Sequence, residues 1–142
     1  MHPKILIYDG TFKGLLTCIF QIYEEKLTEY SIYPEGYNQN DFFANQEHVI
    51  TDEEKSGRVL ESFKKYTSKK AVHRIYRAFL SEIPGVELLI VDFFKHIFEH
   101  KTDLSDDFSH PPILKIAQLD RKVGREKHRM EAFIRFKLLK DG

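Results

Sequence analysis

The chain has 142 residues, of which 42% are hydrophobic and 31% charged, and its 22 basic and 22 acidic side chains give a formal net charge of zero. The length suits one domain with a sizeable core, and the zero charge excludes a polyanion binder that works through charge spread over its whole surface. The single cysteine, Cys18, excludes an internal disulfide and any multi-cysteine zinc or iron–sulfur site built by this chain alone.

The sequence contains no recognisable targeting signal or membrane-spanning segment, so we predict a cytoplasmic protein with no membrane partner. The apolar run Ile5–Tyr8 is too short for a signal peptide and lacks a cleavage site. The most apolar stretch, residues 86 to 98, is interrupted by charged residues and is too short to span a bilayer.

The first half of the chain predicts one buried strand and three helices. The segment KILIYDG reads as a strand closed by an Asp-Gly turn. Thr11 is predicted to cap the first helix, Thr51 or Asp52 the second, and Ser68 the third, which Pro84-Gly85 ends. Residues 27 to 50 are the least regular, with HVIT (residues 48–51) as a candidate second strand.

The second half predicts a central helix, an acidic loop, a long helix and a final strand. Residues 86 to 98 are apolar over much of the helix circumference, which is typical of a core helix. The acidic loop precedes Pro111-Pro112, where the last helix begins and runs to about Glu131. The segment AFIRFK (residues 132–137) then alternates as a strand does. The terminal Asp141-Gly142 predicts a hairpin turn whose second strand is missing.

Together these elements predict an α+β fold. Residues 1–142 form a mostly helical single domain of about five helices, with a small sheet that holds the first and last segments.

Two short motifs suggest chemistry, and each has a simpler structural explanation. His96, Glu99 and His100 have the His-x-x-Glu-His spacing of one class of zinc peptidases, but they lie opposite the apolar stripe of the helix, so we predict a solvated face and no metal. In YDGTFKG, Asp9 ends a strand and Thr11 starts a helix. Such a junction can bind phosphate or host a catalytic carboxylate, but the glycines do not have the spacing of a dinucleotide or Walker loop, so a turn residue followed by a helix cap is the favoured interpretation.

The strongest functional signal is a basic segment near the C-terminus. Residues 115 to 140 contain nine basic and three acidic residues, a net charge of +6 in a neutral protein. On a helix, Arg121, Arg125, His128 and Arg129 share the face opposite Ile116, Leu119, Val123 and Met130. On the predicted strand, Phe133, Arg135 and Lys137 point to one side. These side chains suit phosphate contacts and base stacking. In the alternative, the arginines pair with the acidic loop at residues 103–107 and Phe133 is covered by the missing strand.

Two segments, ILIYDGTFKGLLTCIFQIYE and VGREKHRMEAFIRF, resemble the signature regions of a family of uncharacterised bacterial proteins linked to DNA metabolism and repair. The family pattern falls on Tyr8 to Gly14 and on Val123, Glu126, His128, Arg129, Met130, Phe133, Arg135 and Phe136. Ala132 departs from it, because the family usually has glycine there. The resemblance implies that this chain is the N-terminal part of a longer protein. It also implies a radical-SAM DNA-modification protein encoded nearby and, in some members, fusion to a uracil-DNA glycosylase.

These observations lead to one expected function and two alternatives. We expect a DNA-binding accessory domain that holds no cofactor of its own and serves a radical-SAM or glycosylase partner. The binding residues would be Arg121, Arg125, His128, Arg129, Phe133, Arg135 and Lys137. As an enzyme acting on nucleic acid, the protein would use Asp9, Glu126 and His128 as acid–base groups. As a protein–protein adaptor, it would dock an acidic partner without nucleic acid.

Overall fold

The computed structural model describes residues 3–36 and 45–141, and side chains as far as residue 126. Three strands and five helices follow one another along these residues. They are β1 (Lys4–Tyr8), α1 (Phe12–Glu24), β2 (Tyr30–Pro34), β3 (Asn45–His48), α2 (Glu53–Tyr66), α3 (Lys69–Leu80), α4 (Val86–His100) and α5 (Pro111–Asp141).

The three strands form a parallel sheet in the order β2-β1-β3. The central strand β1 is paired on both sides, with Lys4 opposite Tyr30 of β2 and Asn45 of β3. Parallel neighbours require a crossover, and α1 supplies it between β1 and β2. Because all strands run the same way, Asp9 after β1 and Thr51 after β3 lie at the same edge of the sheet.

The helix starts follow from side chains that accept hydrogen bonds from otherwise unpaired backbone N–H groups. Thr11 accepts from the Gly14 amide, Asp52 from the Lys55 amide and Ser68 from the Ala71 amide. The predicted caps of α1, α2 and α3 are thereby confirmed. Helix α3 ends at Leu80, before the predicted Pro84-Gly85 stop, and Gly85, with φ +88°, immediately precedes α4. Its positive φ favours glycine.

Helix α4 is the centre of the core, as its apolar circumference predicted. Its Phe93 and Phe94 are fully buried and pack against Phe63 of α2 with tilted rings. The Phe63 and Phe94 ring centroids are 4.3 Å apart. The Tyr8 hydroxyl donates a 3.0 Å hydrogen bond to Glu87, which ties β1 to the start of α4. Cys18 is buried, and burial raises the pKa of its thiol to about 12, so the thiol is protonated and poorly nucleophilic at neutral pH.

The predicted fold class is confirmed, with five helices and a small sheet that holds the first segment of the chain. The strands after β1 were harder to predict. Strand β2 arises in the segment that was expected to be irregular, and β3 ends at His48, where the HVIT strand was expected to begin.

The prediction of a strand over AFIRFK, residues 132–137, is wrong. These residues continue α5, whose backbone is helical to Asp141. The physical reason is that no proline or glycine interrupts residues 125–141, and the segment contains alanine, glutamate, leucine and lysine, which favour helices. The sheet therefore does not hold the last segment.

In the part of the chain that is described, no helix combines the length and the apolar character that a membrane crossing requires.

Candidate functional site

The basic face predicted on α5 is present in the side chains that the structure describes. Ile113, Ile116 and Leu119 are buried against the core, whereas Arg121 and Arg125 are exposed. The helix thus separates apolar and basic faces as its spacing predicted.

Helix α3 contributes a second set of basic residues that the sequence interpretation missed. Residues 62 to 81 contain six basic residues and no aspartate or glutamate. Within α3, Lys70, His73 and Arg77 recur at helical spacing on one face and are all exposed. A count of charge in a sliding window would have found this segment, because it is as one-sided as the C-terminal one.

The basic faces of α3 and α5 lie on two helices that pack against each other, and an ion pair connects the helices. Helix α3 packs against α5, and Arg77 Nη1 lies 3.5 Å from Asp120 Oδ1. The same Nη1 is 3.8 Å from the position that a Cβ on Gly124 would occupy. Arg121 and Arg125 each follow one of these two contact positions by one residue along α5, and both are exposed. We name this set the α3–α5 basic surface, comprising Lys70, His73, Arg77, Arg121 and Arg125.

Among the described side chains, the acidic loop pairs with groups other than the α5 arginines of the alternative interpretation. Asp106 forms a 2.9 Å ion pair with Arg74 of α3, and Asp107 lies 3.1 Å from His96 of α4. Asp103 accepts hydrogen bonds from the backbone and hydroxyl of Ser105. Among the described side chains, these partners lie on α3, α4 and the loop itself, and none of them is an α5 arginine.

The remaining predicted binding residues lie on the continuing helix. His128, Arg129, Phe133, Arg135 and Lys137 belong to the helical backbone of α5, and their side chains fall outside the described ones. The one-sided arrangement expected for Phe133, Arg135 and Lys137 assumed a strand. It does not apply to a helix, whose residues repeat every 3.6 positions.

Asp9 occupies the edge of the sheet where the carboxyl ends of β1 and β3 meet. Its Oδ1 accepts from the Thr11 amide at 3.0 Å and the Thr11 hydroxyl at 2.6 Å, and its Oδ2 accepts from the Thr51 hydroxyl at 2.7 Å. These hydrogen bonds, with Thr11 first and Thr51 next, lower the pKa of the Asp9 carboxyl. The carboxylate is therefore held ionised, which suits a structural clamp between two loops better than a general acid.

Of the three residues of the enzyme hypothesis, Asp9 lies at the edge of the sheet, whereas Glu126 and His128 lie on α5. Asp9 takes its partners from the start of α1 and the segment after β3. Glu126 is exposed on α5, which packs against α3 and α4. His128 is on the same helix, beyond the described side chains. The described hydrogen bonds of Asp9 therefore connect the two loops at this edge of the sheet.

The His96–His100 motif has a structural role in the loop that covers it. His96 has a side chain only 12% exposed, so the prediction of a solvated face is wrong for this residue, whereas Glu99 and His100 are exposed. The His96 ring stacks on His110 with centroids 4.0 Å apart and is hydrogen-bonded to Asp107. Across the described residues, no three His, Cys, Asp or Glu side chains are arranged to hold a metal ion.

An apolar groove of about 360 Å³ lies between α1, α2 and α4. Its walls are mainly aromatic, and Arg58 lies at 5.6 Å from the centroid of the Phe20 ring. The other lining residues are Tyr23, Val59, Ser62, Tyr66 and Phe98. The groove contains none of the predicted site residues.

Comparison with known proteins gives a family match for part of the chain. No curated protein and no solved structure matches it. The segment that matches a family contains α4 and α5, and thus one of the two helices of the α3–α5 basic surface. Residues 84–142 match the model of the family DUF4130, a domain of unknown function.

Proposed function

We propose that the protein is a DNA-binding accessory domain that contacts phosphates through the α3–α5 basic surface. The observation that carries this proposal is the juxtaposition of two one-sidedly basic helices, α3 and α5, with their basic side chains exposed. His128 and Arg129 follow on the next turn of the α5 backbone, and the sequence pattern assigns them to the same function.

Local charge is sufficient for such a function in a protein with no net charge. Arginine presents a planar fork of donors that fits phosphate oxygens, and three of the five residues on the surface are arginines. Each phosphate neutralised by a lysine or arginine releases counterions, so binding weakens with salt. With Lys70, Arg77, Arg121 and Arg125 engaged, the slope of log K against log salt on duplex DNA should be roughly −3 to −4.

In this proposal, the chemistry belongs to a partner. The family resemblance in the sequence motifs implies a radical-SAM or uracil-DNA glycosylase partner, and the domain would hold DNA for that partner. The protein–protein adaptor remains a distinct outcome of the binding experiment.

The test is fluorescence anisotropy of labelled single- and double-stranded oligonucleotides over a salt series. The variants are Arg121→Glu/Arg125→Glu on α5 and Lys70→Glu/Arg77→Gln on α3. The matched control is Lys13→Glu/Lys26→Glu, which changes the charge by the same amount as the α5 variant on two exposed lysines of the α1 region. We expect salt-sensitive binding that both surface variants weaken at least ten-fold and the control leaves within about two-fold.

Two results would contradict the proposal. If the folded protein shows no binding at low salt, the DNA-contact function is wrong. If the control weakens binding as much as the surface variants do, the effect is one of total charge and not of this surface. Salt-sensitive binding to a protein partner, without oligonucleotide binding, would instead identify the adaptor.

A further inference from the structure

An aromatic side chain lies at the border of the α3–α5 basic surface. Tyr76 precedes Arg77 in α3 and is 42% exposed, and Leu80, one turn later, is 50% exposed. His73 lies one turn earlier on the same side of the helix. The exposed Tyr76 thus lies one helical turn from His73 of the α3–α5 basic surface and is next to Arg77 along the chain.

The Tyr76 ring is fixed in position by the start of α1. It contacts Phe12 edge to face, with centroids 5.3 Å apart and an angle of 81° between the planes. Phe12 is itself held against Phe79, with centroids 5.5 Å apart. An edge-to-face contact covers at most one face of a ring. Tyr76 is therefore a partly exposed ring that is held by Phe12 and has at least one face free of that contact.

An anchored aromatic ring beside arginines is the combination that binds unpaired bases. Single-strand binders stack bases on aromatic side chains while cations track the phosphates. In a duplex the bases stack on one another and are paired, so a surface tyrosine has no base face to contact along the helix.

We propose that the α3–α5 basic surface binds single-stranded nucleic acid, with a base stacked on Tyr76 and the flanking phosphates held by Arg77 and Arg121. This inference rests on the proposed function and specifies its substrate class. It assigns the stacking role to a different residue from Phe133, which the sequence suggested.

The test separates stacking from charge by changing the bases and the ring independently. Anisotropy compares an oligothymidylate of about fifteen nucleotides with an abasic strand of the same length and charge, and with a duplex. The protein variants are Tyr76→Leu, which keeps an apolar contact with Phe12, and Tyr76→Phe, which keeps the ring.

We expect the unmodified protein to bind the oligothymidylate about ten-fold more tightly than the abasic strand, the effect of one stacked base. Tyr76→Leu should abolish this preference without changing the affinity for the abasic strand. Tyr76→Phe should retain the preference within about two-fold, because a phenylalanine ring also stacks bases. Melting curves of the variants monitor folding.

Other results would overturn the inference in distinguishable ways. Equal, salt-sensitive affinity for all three probes would overturn single-strand selectivity and leave the proposed function standing. A loss of abasic-strand binding in Tyr76→Leu would show a structural role for the ring and overturn stacking. If no probe binds to the folded protein at low salt, the proposed function fails together with this inference.

Discussion

Gly14 and Asp9 show how one close approach determines residue choice at the sheet edge. Gly14 lies inside α1, where glycine is unfavourable by about 1 kcal/mol relative to alanine. A Cβ at this position would lie 2.4 Å from Asp9 Oδ1 and 3.0 Å from the Thr51 hydroxyl. The hydrogen bonds of Asp9 with Thr11 and Thr51 therefore require glycine at position 14. Alanine would favour the helix more strongly, but its methyl group would collide with Asp9.

Replacing Gly14 by alanine should destabilise the protein by about 1–3 kcal/mol, because the Asp9 clamp must move to accept the methyl group. Gly57→Ala is the matched control, since Gly57 lies in α2 and a Cβ at that position would meet no atom within 4 Å. The control should stabilise the protein by about 0.5–1 kcal/mol. Urea unfolding measures both changes. Equal effects of the two substitutions would show that the clamp does not constrain Gly14.

The lowered pKa of Asp9 predicts a pH dependence of stability. Because the folded pKa lies below the unfolded value of about 3.9, the carboxylate stabilises the fold above that pH and the contribution is lost as pH falls through the folded pKa. Asp9→Asn should therefore have a lower melting temperature than the unmodified protein at pH 7. The difference should shrink on approach to about pH 3. A difference that stays constant across this range would contradict the assignment.

At the scale of the element, the helix starts were predictable, whereas the ends of α3 and α5 were not. Thr11, Asp52 and Ser68 cap their helices through local hydrogen bonds that depend on three or four consecutive residues. The end of α5 was misplaced by about ten residues, because AFIRFK satisfies both strand alternation and helix propensity. Ala132 stands where the resembled family has glycine, and alanine removes a residue that would favour ending the helix there.

Loss of the Asp52 cap should destabilise α2. Asp52 accepts a 3.1 Å hydrogen bond from the Lys55 amide, so Asp52→Ala should lower the free energy of unfolding by about 1 kcal/mol. Asp52→Asn should cost much less, because the asparagine side chain caps equally well. Chemical denaturation distinguishes the two. An equally large loss in the asparagine variant would assign the effect to charge and not to capping.

At the scale of the whole molecule, charge is balanced in sum and separated in space. The acidic loop is engaged by Arg74 and His96, so among the described side chains its carboxylates do not pair with the exposed cations of α3 and α5. Asp120 of α5 is the carboxylate that pairs with Arg77 of the α3–α5 basic surface. Its Oδ1 is buried without a hydrogen-bond partner among the described residues, and its contact with Arg77, whose side chain is 47% exposed, is long at 3.5 Å.

Asp120→Asn should strengthen oligonucleotide binding at low salt by about two- to five-fold, because removing one nearby negative charge is worth roughly 0.5–1 kcal/mol in water. The melting temperature should change little, since a long and partly exposed ion pair contributes little stability. Anisotropy at low salt measures the affinity. Weaker binding in this variant would show that Asp120 positions Arg77 for the ligand and does not merely oppose it.

The sequence by itself determined the α+β class, the first strand, the helix caps, the core helix α4 and the basic face of α5. These features depend on local hydrogen bonds and on periodicity within one element. The tertiary structure decided the parallel pairing of β2 and β3 with the two edges of β1, the clamp of Asp9 by Thr51, and the placement of α3 beside α5. The partners in each case are distant along the chain, as with Arg77 and Asp120 or Asp9 and Thr51. Their meeting follows from how the apolar faces pack, which periodicity in one segment does not encode.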